Sequence, residues 1–79
     1  MSPTVFREKG LRFYFFSREE KRPHVHVQGA EGEAKFWIEP DIELAQNYGL
    51  PQRKITIALK LVREHDDEIR EAWAKHFGS

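Results

Sequence analysis

His24 and His26 are the residues of this chain whose types and spacing come closest to chemistry. They stand two apart in Pro23-His24-Val25-His26-Val27. On a β-strand that spacing puts both imidazoles on one face, with Cα atoms roughly 6.5–7 Å apart. As metal ligands they would need a third donor, and Glu39, Glu33 or His65 is available without being fixed by local spacing. A lone histidine pair lacks the closed ligand set a metal requires, so no metal ligand is assigned. As an acid/base pair they would suit ribonuclease-like cleavage at neutral pH, with Arg12, Lys35 or Arg22 stabilising phosphate charge. The plainer reading is that both imidazoles pair with neighbouring side chains or backbone and form part of a contact surface.

The elements that must position these residues follow from two periods. Val5-Phe6-Arg7 and Leu11-Arg12-Phe13-Tyr14-Phe15-Phe16 flank Lys9-Gly10 and are predicted to pair as a hairpin. Ser17 to Pro23 is polar and ends in proline, which predicts a loop. His24 to Gln28 and Glu33 to Glu39 alternate on either side of the turn Gly29-Ala30-Glu31-Gly32, and Asp41-Ile42-Glu43-Leu44 is predicted as a short edge strand. From Pro51 onward the period changes. Ile55, Ala58, Leu59, Val62, Ile69, Ala72, Trp73 and Phe77 form the apolar stripe of a helix that stops at Gly78. His65-Asp66-Asp67 marks a possible bend, but the stripe runs past it and one helix over about 51–77 is the simpler expectation. The predicted fold is α+β. It is one domain over residues 1–79, with an antiparallel sheet of three to five strands within 4–45 and the long C-terminal helix packed on one face.

Alternation also assigns faces. Phe13, Phe15, Val25, Val27, Phe36, Ile38, Ile42 and Leu44 are predicted to point toward the helix. Arg12, Tyr14, Phe16, His24, His26, Gln28, Lys35, Trp37 and Glu39 then share the far face. A merely solvated face would carry Lys, Glu and Thr, whereas rings and histidines mixed with cations suggest an interaction surface. Tyr14, His24, His26, Lys35 and Trp37 are its candidate residues. Trp37 is a platform on that face, and Trp73, on the helix stripe, is core.

Composition narrows the classes. Seventy-nine residues suit one modest core, which buries about 60% of the surface of its unfolded chain. Thirteen basic and thirteen acidic residues cancel, which argues against binding nucleic-acid phosphates. Such binding usually shows a basic excess, and here the only local cluster is Arg18, Lys21 and Arg22, with a weaker pair at Arg53 and Lys54. No cysteine is present, so disulfides and thiolate metal sites do not arise. The longest apolar run, Phe13 to Phe16, is far short of the roughly 20 residues of a membrane span, and Met1-Ser2-Pro3-Thr4 has no signal-peptide pattern. A cytoplasmic location is the expectation.

Five blocks in order resemble domain-of-unknown-function family 4160 over nearly the whole chain. They are Pro3-Thr4-Val5-Phe6-Arg7, Gly10-Leu11-Arg12-Phe13, Arg22-Pro23-His24-Val25-His26-Val27, Ala34-Lys35-Phe36-Trp37-Ile38-Glu39-Pro40, and Glu71-Ala72-Trp73 with Phe77-Gly78. The resemblance implies a small bacterial cytosolic protein, often encoded beside a second small protein in pairs that look like toxin–antitoxin modules. A protein partner is therefore expected, with a homodimer as a further option. The resemblance carries no catalytic residues and no cofactor. His24 to Gln28 is also similar to the histidine-triad pattern, with Gln28 in the third position. That chemistry needs a phosphate cradle at a helix N-terminus or glycine-rich turn, and neither follows Gln28 closely. The expected function is that of a partner-binding subunit. A ribonuclease-like toxin using His24 and His26 with Lys35 and Arg12, and a metal-binding domain, are the alternatives.

Overall fold

The computed structural model describes residues 4–16 and 21–78. Pro3 and, of the predicted loop, Ser17, Arg18, Glu19 and Glu20 lie outside the described residues. The alternating first half folds as β1 (Thr4–Glu8), β2 (Leu11–Tyr14), β3 (His24–Gln28), β4 (Glu33–Trp37) and β5 (Glu43–Tyr48). They form one sheet in chain order, and every neighbouring pair is antiparallel. Two helices follow, α1 (Gln52–Glu64) and α2 (Asp66–Phe77).

Turn chemistry sets the register. Glu8 pairs with Leu11 across Lys9-Gly10, and both turn residues have positive φ, 53° and 77°. A two-residue hairpin of type I′ needs that sign at both positions, and glycine reaches it without strain. Gln28 pairs with Glu33 across Gly29-Ala30-Glu31-Gly32, closed by the Gly29 N–H donating to the Gly32 carbonyl at 2.9 Å. The chain leaving β5 then runs under this turn. The Asn47 side chain both accepts from the Leu50 N–H and donates to the Leu50 carbonyl, each at 2.9 Å. That local clasp aims Leu50 into the core.

The helix-side face of the sheet carries Leu11, Phe13, Phe15, Val25, Val27, Ala34, Phe36 and Ile38, all buried. Ile55, Ala58, Leu61, Val62, Ile69 and Trp73 meet them from the helices. Leu61 is fully buried although it stands outside the expected stripe, and Leu59 is only half-buried. Leu44 corrects the expected core more sharply. It pairs with Phe36 and so shares the helix-side face, but at the sheet edge it stays 43% exposed. Ile42 is half-buried.

The single long helix is also corrected. His65 interrupts it, with φ −101° and ψ 18°, its N–H donating to the Leu61 carbonyl. An unbroken helix over 51–77 would run roughly 40 Å, beyond the 33 Å greatest extent of the molecule. The break keeps both apolar stripes on the sheet. Asp66, Asp67 and Glu68 fill the first turn of α2, where carboxylates are favoured by the helix dipole. Gly78 closes that helix in the left-handed region, its N–H on the Ala74 carbonyl.

Arg70 ties α2 to the end of β4. Its Nε donates to Asp66 at 2.9 Å, one terminal nitrogen to Glu39, and the other to the Ile38 carbonyl at 3.1 Å. The side chain is partly solvated, so screening limits its worth. Arg70→Met is expected to remove about 1 kcal/mol, roughly 5 °C of Tm in a domain of this size. Thermal denaturation followed by circular dichroism checks this, and an unchanged Tm would count against it.

Candidate functional site

β3 holds the two histidines between β2 and β4, so the outer face is built from three strands whose partners are fixed: Tyr14 with His26, His24 with Trp37, and His26 with Lys35. Paired residues share a face, and the alternation read from the sequence survives here intact. Their side chains lie flat and touch edge to face. His24 meets His26 at 5.2 Å between ring centroids, Trp37 at 5.7 Å and Trp73 at 5.1 Å. His26 in turn stacks on Tyr14 at 5.4 Å and meets Phe16 edge-on at 4.7 Å. Rings at these separations and tilts attract by dispersion and quadrupole, beyond the area they bury.

Cations complete the layer. The Arg12 guanidinium sits 4.4 Å over the Tyr14 ring, while Arg22 and Lys35 sit 4.1 and 4.5 Å from the Trp37 centroid. Each such contact contributes about 0.5–2 kcal/mol, more where water is excluded. Arg12 also donates to Thr4 at 2.8 Å, and Arg22 to the Glu39 carbonyl at 2.7 Å.

This packing changes what is accessible. Tyr14, His24 and Lys35 were expected on an open surface, and all three are buried. His24 is wholly enclosed because Trp73 of α2 and Trp37 of β4 close over it. Its Nδ1 lies 2.6 Å from the Arg22 carbonyl. A carbonyl only accepts, so Nδ1 carries the proton and donates. An acid and a base acting on one substrate must both reach it, and an enclosed His24 does not. The two-histidine acid/base arrangement is therefore not what this face presents. Trp73 is core, as expected, and it has a second role. It packs edge-on against Phe15 at 5.4 Å and tilted against Phe77 at 4.2 Å, joining the helix-side core to the His24 layer.

Among the described residues the metal reading finds no third ligand. Glu39 is held by Arg70, and His65 lies at the helix joint, paired with Glu8 and Glu68. Among the described residues, no group of three or more His, Asp or Glu is arranged to hold a metal. Glu33 does come near His26, since both line one groove.

That groove is an accessible part of the face. It has a volume of about 260 Å³ and is lined by Phe16, His26, Glu33, Ala34, Lys35, Gln46 and Tyr48. Phe16 is 41% exposed on one side and Tyr48 62% exposed on the other. Tyr48 and Gln46 were not among the sequence candidates, because the expected edge strand ends at Leu44, whereas β5 runs Glu43–Tyr48 and carries a bulge. The β4–β5 register runs Trp37 to Glu43 and Phe36 to Leu44, then slips so that Lys35 pairs with Gln46 and Ala34 with Asn47. Strict alternation from Glu43 would put Asn47 outward; the extra residue at Ala45 turns Gln46 and Tyr48 outward instead. A period-two pattern that fails after Leu44 was the available signal.

Fold and face together define a small α+β domain of the helix-backed open-sheet kind. The chain belongs to the family described as Domain of unknown function (DUF4160), whose model matches residues 10–74. Among curated proteins and among solved structures, no match is found. Among the described residues no helix is long and apolar enough to cross a membrane.

Proposed function

We propose that this chain is a non-catalytic binding subunit of a small bacterial two-protein module of the toxin–antitoxin-like kind, and that the outer sheet face receives the partner protein. A cytosolic setting belongs to the same proposal and agrees with the absence of cysteine. One observation carries the reading. Phe16 and Tyr48 are large rings left exposed on either side of a groove, on the face opposite the helices. Exposed aromatic anchors beside a recess are the features that supply most of the affinity of protein interfaces. Beneath them His26, Tyr14, Trp37, Arg22 and Lys35 are already packed against one another. A partner therefore meets a rigid surface and loses little affinity to ordering it.

The test is the affinity of the purified chain for the product of the adjacent gene, measured by calorimetry. Phe16→Ala combined with Tyr48→Ala is expected to weaken binding by about a thousandfold, since each anchor contributes about 2 kcal/mol. The variant should remain folded because Tyr48 is mostly solvated and Phe16, though it touches Tyr14 and His26, lies outside the hydrophobic core. An unchanged affinity would remove the outer face from the interface. A doubled mass for the chain alone, abolished by the same substitutions, would assign the face to a second copy instead. RNA incubated with the chain is expected to stay intact; cleavage lost in His26→Ala would replace the binding reading with catalysis.

A further inference from the structure

His65 occupies the joint between α1 and α2, and its ring is gripped on three sides. One face stacks on Phe6 of β1 with centroids 3.8 Å apart and planes 16° from parallel. Nδ1 lies 2.7 Å from a Glu68 carboxylate oxygen on α2, and Nε2 lies 3.0 Å from a Glu8 oxygen on β1. Carboxylate oxygens only accept, so both contacts are hydrogen bonds only when both ring nitrogens carry protons. A neutral imidazole has one N–H and serves one carboxylate, leaving the other nitrogen lone pair facing a negative oxygen.

We infer that His65 is a proton-operated clamp that fastens strand β1 to the helix joint and loosens it as the medium turns alkaline. β1 is an outer strand of the sheet, and its pairing with β2 is already irregular between Thr4 and Phe6. The stacked Phe6 and the paired Glu8 are therefore its side-chain ties to the helices at this joint. The charged groups facing the ring are Glu8 from β1 and Glu68 from α2; among the described residues no charge on α1 acts on it. The Glu68 hydrogen bond is the largest influence. Partial burial opposes it, and the Glu8 hydrogen bond with the two carboxylate charges adds to it, so the net effect holds the imidazolium above the ordinary histidine value of 6.5. Because the shift is upward, the stability lent by the clamp is fully present below the unfolded value and is lost as pH rises through the raised one. The Glu68 contact is the shorter and stronger, so the proton lost first is the one on Nε2. The tie to Glu8, and with it to β1, opens while the ring stays on α2.

Two measurements test the clamp. In an NMR titration of the intact chain, the His65 ring protons are expected to titrate above the ordinary histidine midpoint, and Glu8→Gln is expected to lower that midpoint. Hydrogen exchange at the β1 amides is expected to quicken several-fold in the intact chain between pH 6 and pH 8.5, after correction for intrinsic exchange rates. Glu8→Gln should flatten that change while leaving exchange in β3 and β4 as it was. His65→Gln should abolish it too, but Glu8→Gln keeps the stacked ring and so remains informative if the histidine variant fails to fold. A midpoint at or below the ordinary value, or an exchange change that persists in Glu8→Gln, would overturn the inference.

Discussion

Gly32→Ala is expected to lower stability by about 3 kcal/mol or more, which corresponds to roughly 15 °C of Tm in a domain this small. The reason is steric and lies in the backbone. A Cβ at position 32 would stand 2.2 Å from the Tyr48 carbonyl oxygen and 2.7 and 2.8 Å from Gly49 backbone carbons. Side chains can swing away from an added methyl, but two backbone segments locked by a turn and an Asn47 clasp cannot. The crossing also bears on the proposed partner face, because the strand pushed aside is the end of β5 that presents Tyr48 to the groove. Gly10→Ala is the informative contrast. Its Cβ meets nothing within 4 Å, while its φ is +77°, so only left-handed strain of about 1 kcal/mol is expected. Chemical denaturation of both variants checks the ranking; a Gly32→Ala protein as stable as Gly10→Ala would contradict the close crossing.

The second large effect is expected at Trp73. Trp73→Ala should remove about 3–5 kcal/mol, enough to leave a domain with the modest stability of its size partly unfolded at room temperature. The indole packs against Phe15 and Phe77 on the helix side and against His24 on the other, so its loss opens a cavity and unroofs the histidine together. Trp73→Phe keeps a ring in the same space and is expected to cost about 1–2 kcal/mol. That milder variant separates the two roles. The chain stays folded, and the His24 ring should show faster exchange of its Nδ1 proton by NMR. A His24 proton as protected as in the parent chain would show that Trp73 is core packing alone.

Much of this fold is legible in the sequence because local period and long-range packing agree. His24 to Gln28 alternates cleanly, Leu11 to Phe16 and Glu33 to Ile38 alternate with aromatics on both faces, and their faces in the sheet are the ones alternation assigns. Agreement fails where geometry at a distance takes over. The β5 bulge exists to match β4, and it moves Tyr48 to the outer face, marked locally only by an alternation that fails after Leu44. The polar His65-Asp66-Asp67 marks the place of the helix break in the sequence, but the continuing stripe hides it, and only the length of the sheet turns that interruption into a break. At the site, the Pro-His-Val-His-Val strand does lie on the outer face, but exposure could not be read from the strand itself. Trp73 comes from residues far along the chain to close over His24, and Arg22 and Lys35 settle on Trp37. Alternation reports which face a side chain takes; whether another element covers it depends on contacts between distant segments.

The proposed partner seat on the outer face is tested most directly by NMR of the isotopically labelled chain as the proposed partner, the product of an adjacent gene, is added. The side-chain signals of Phe16, His26, Trp37 and Tyr48 are expected to shift or broaden at stoichiometric addition. Those of Thr56, Lys60 and Arg63, on the exposed side of α1, should stay where they are. Perturbation confined to α1, or none anywhere at saturating partner, would contradict the outer-face interface.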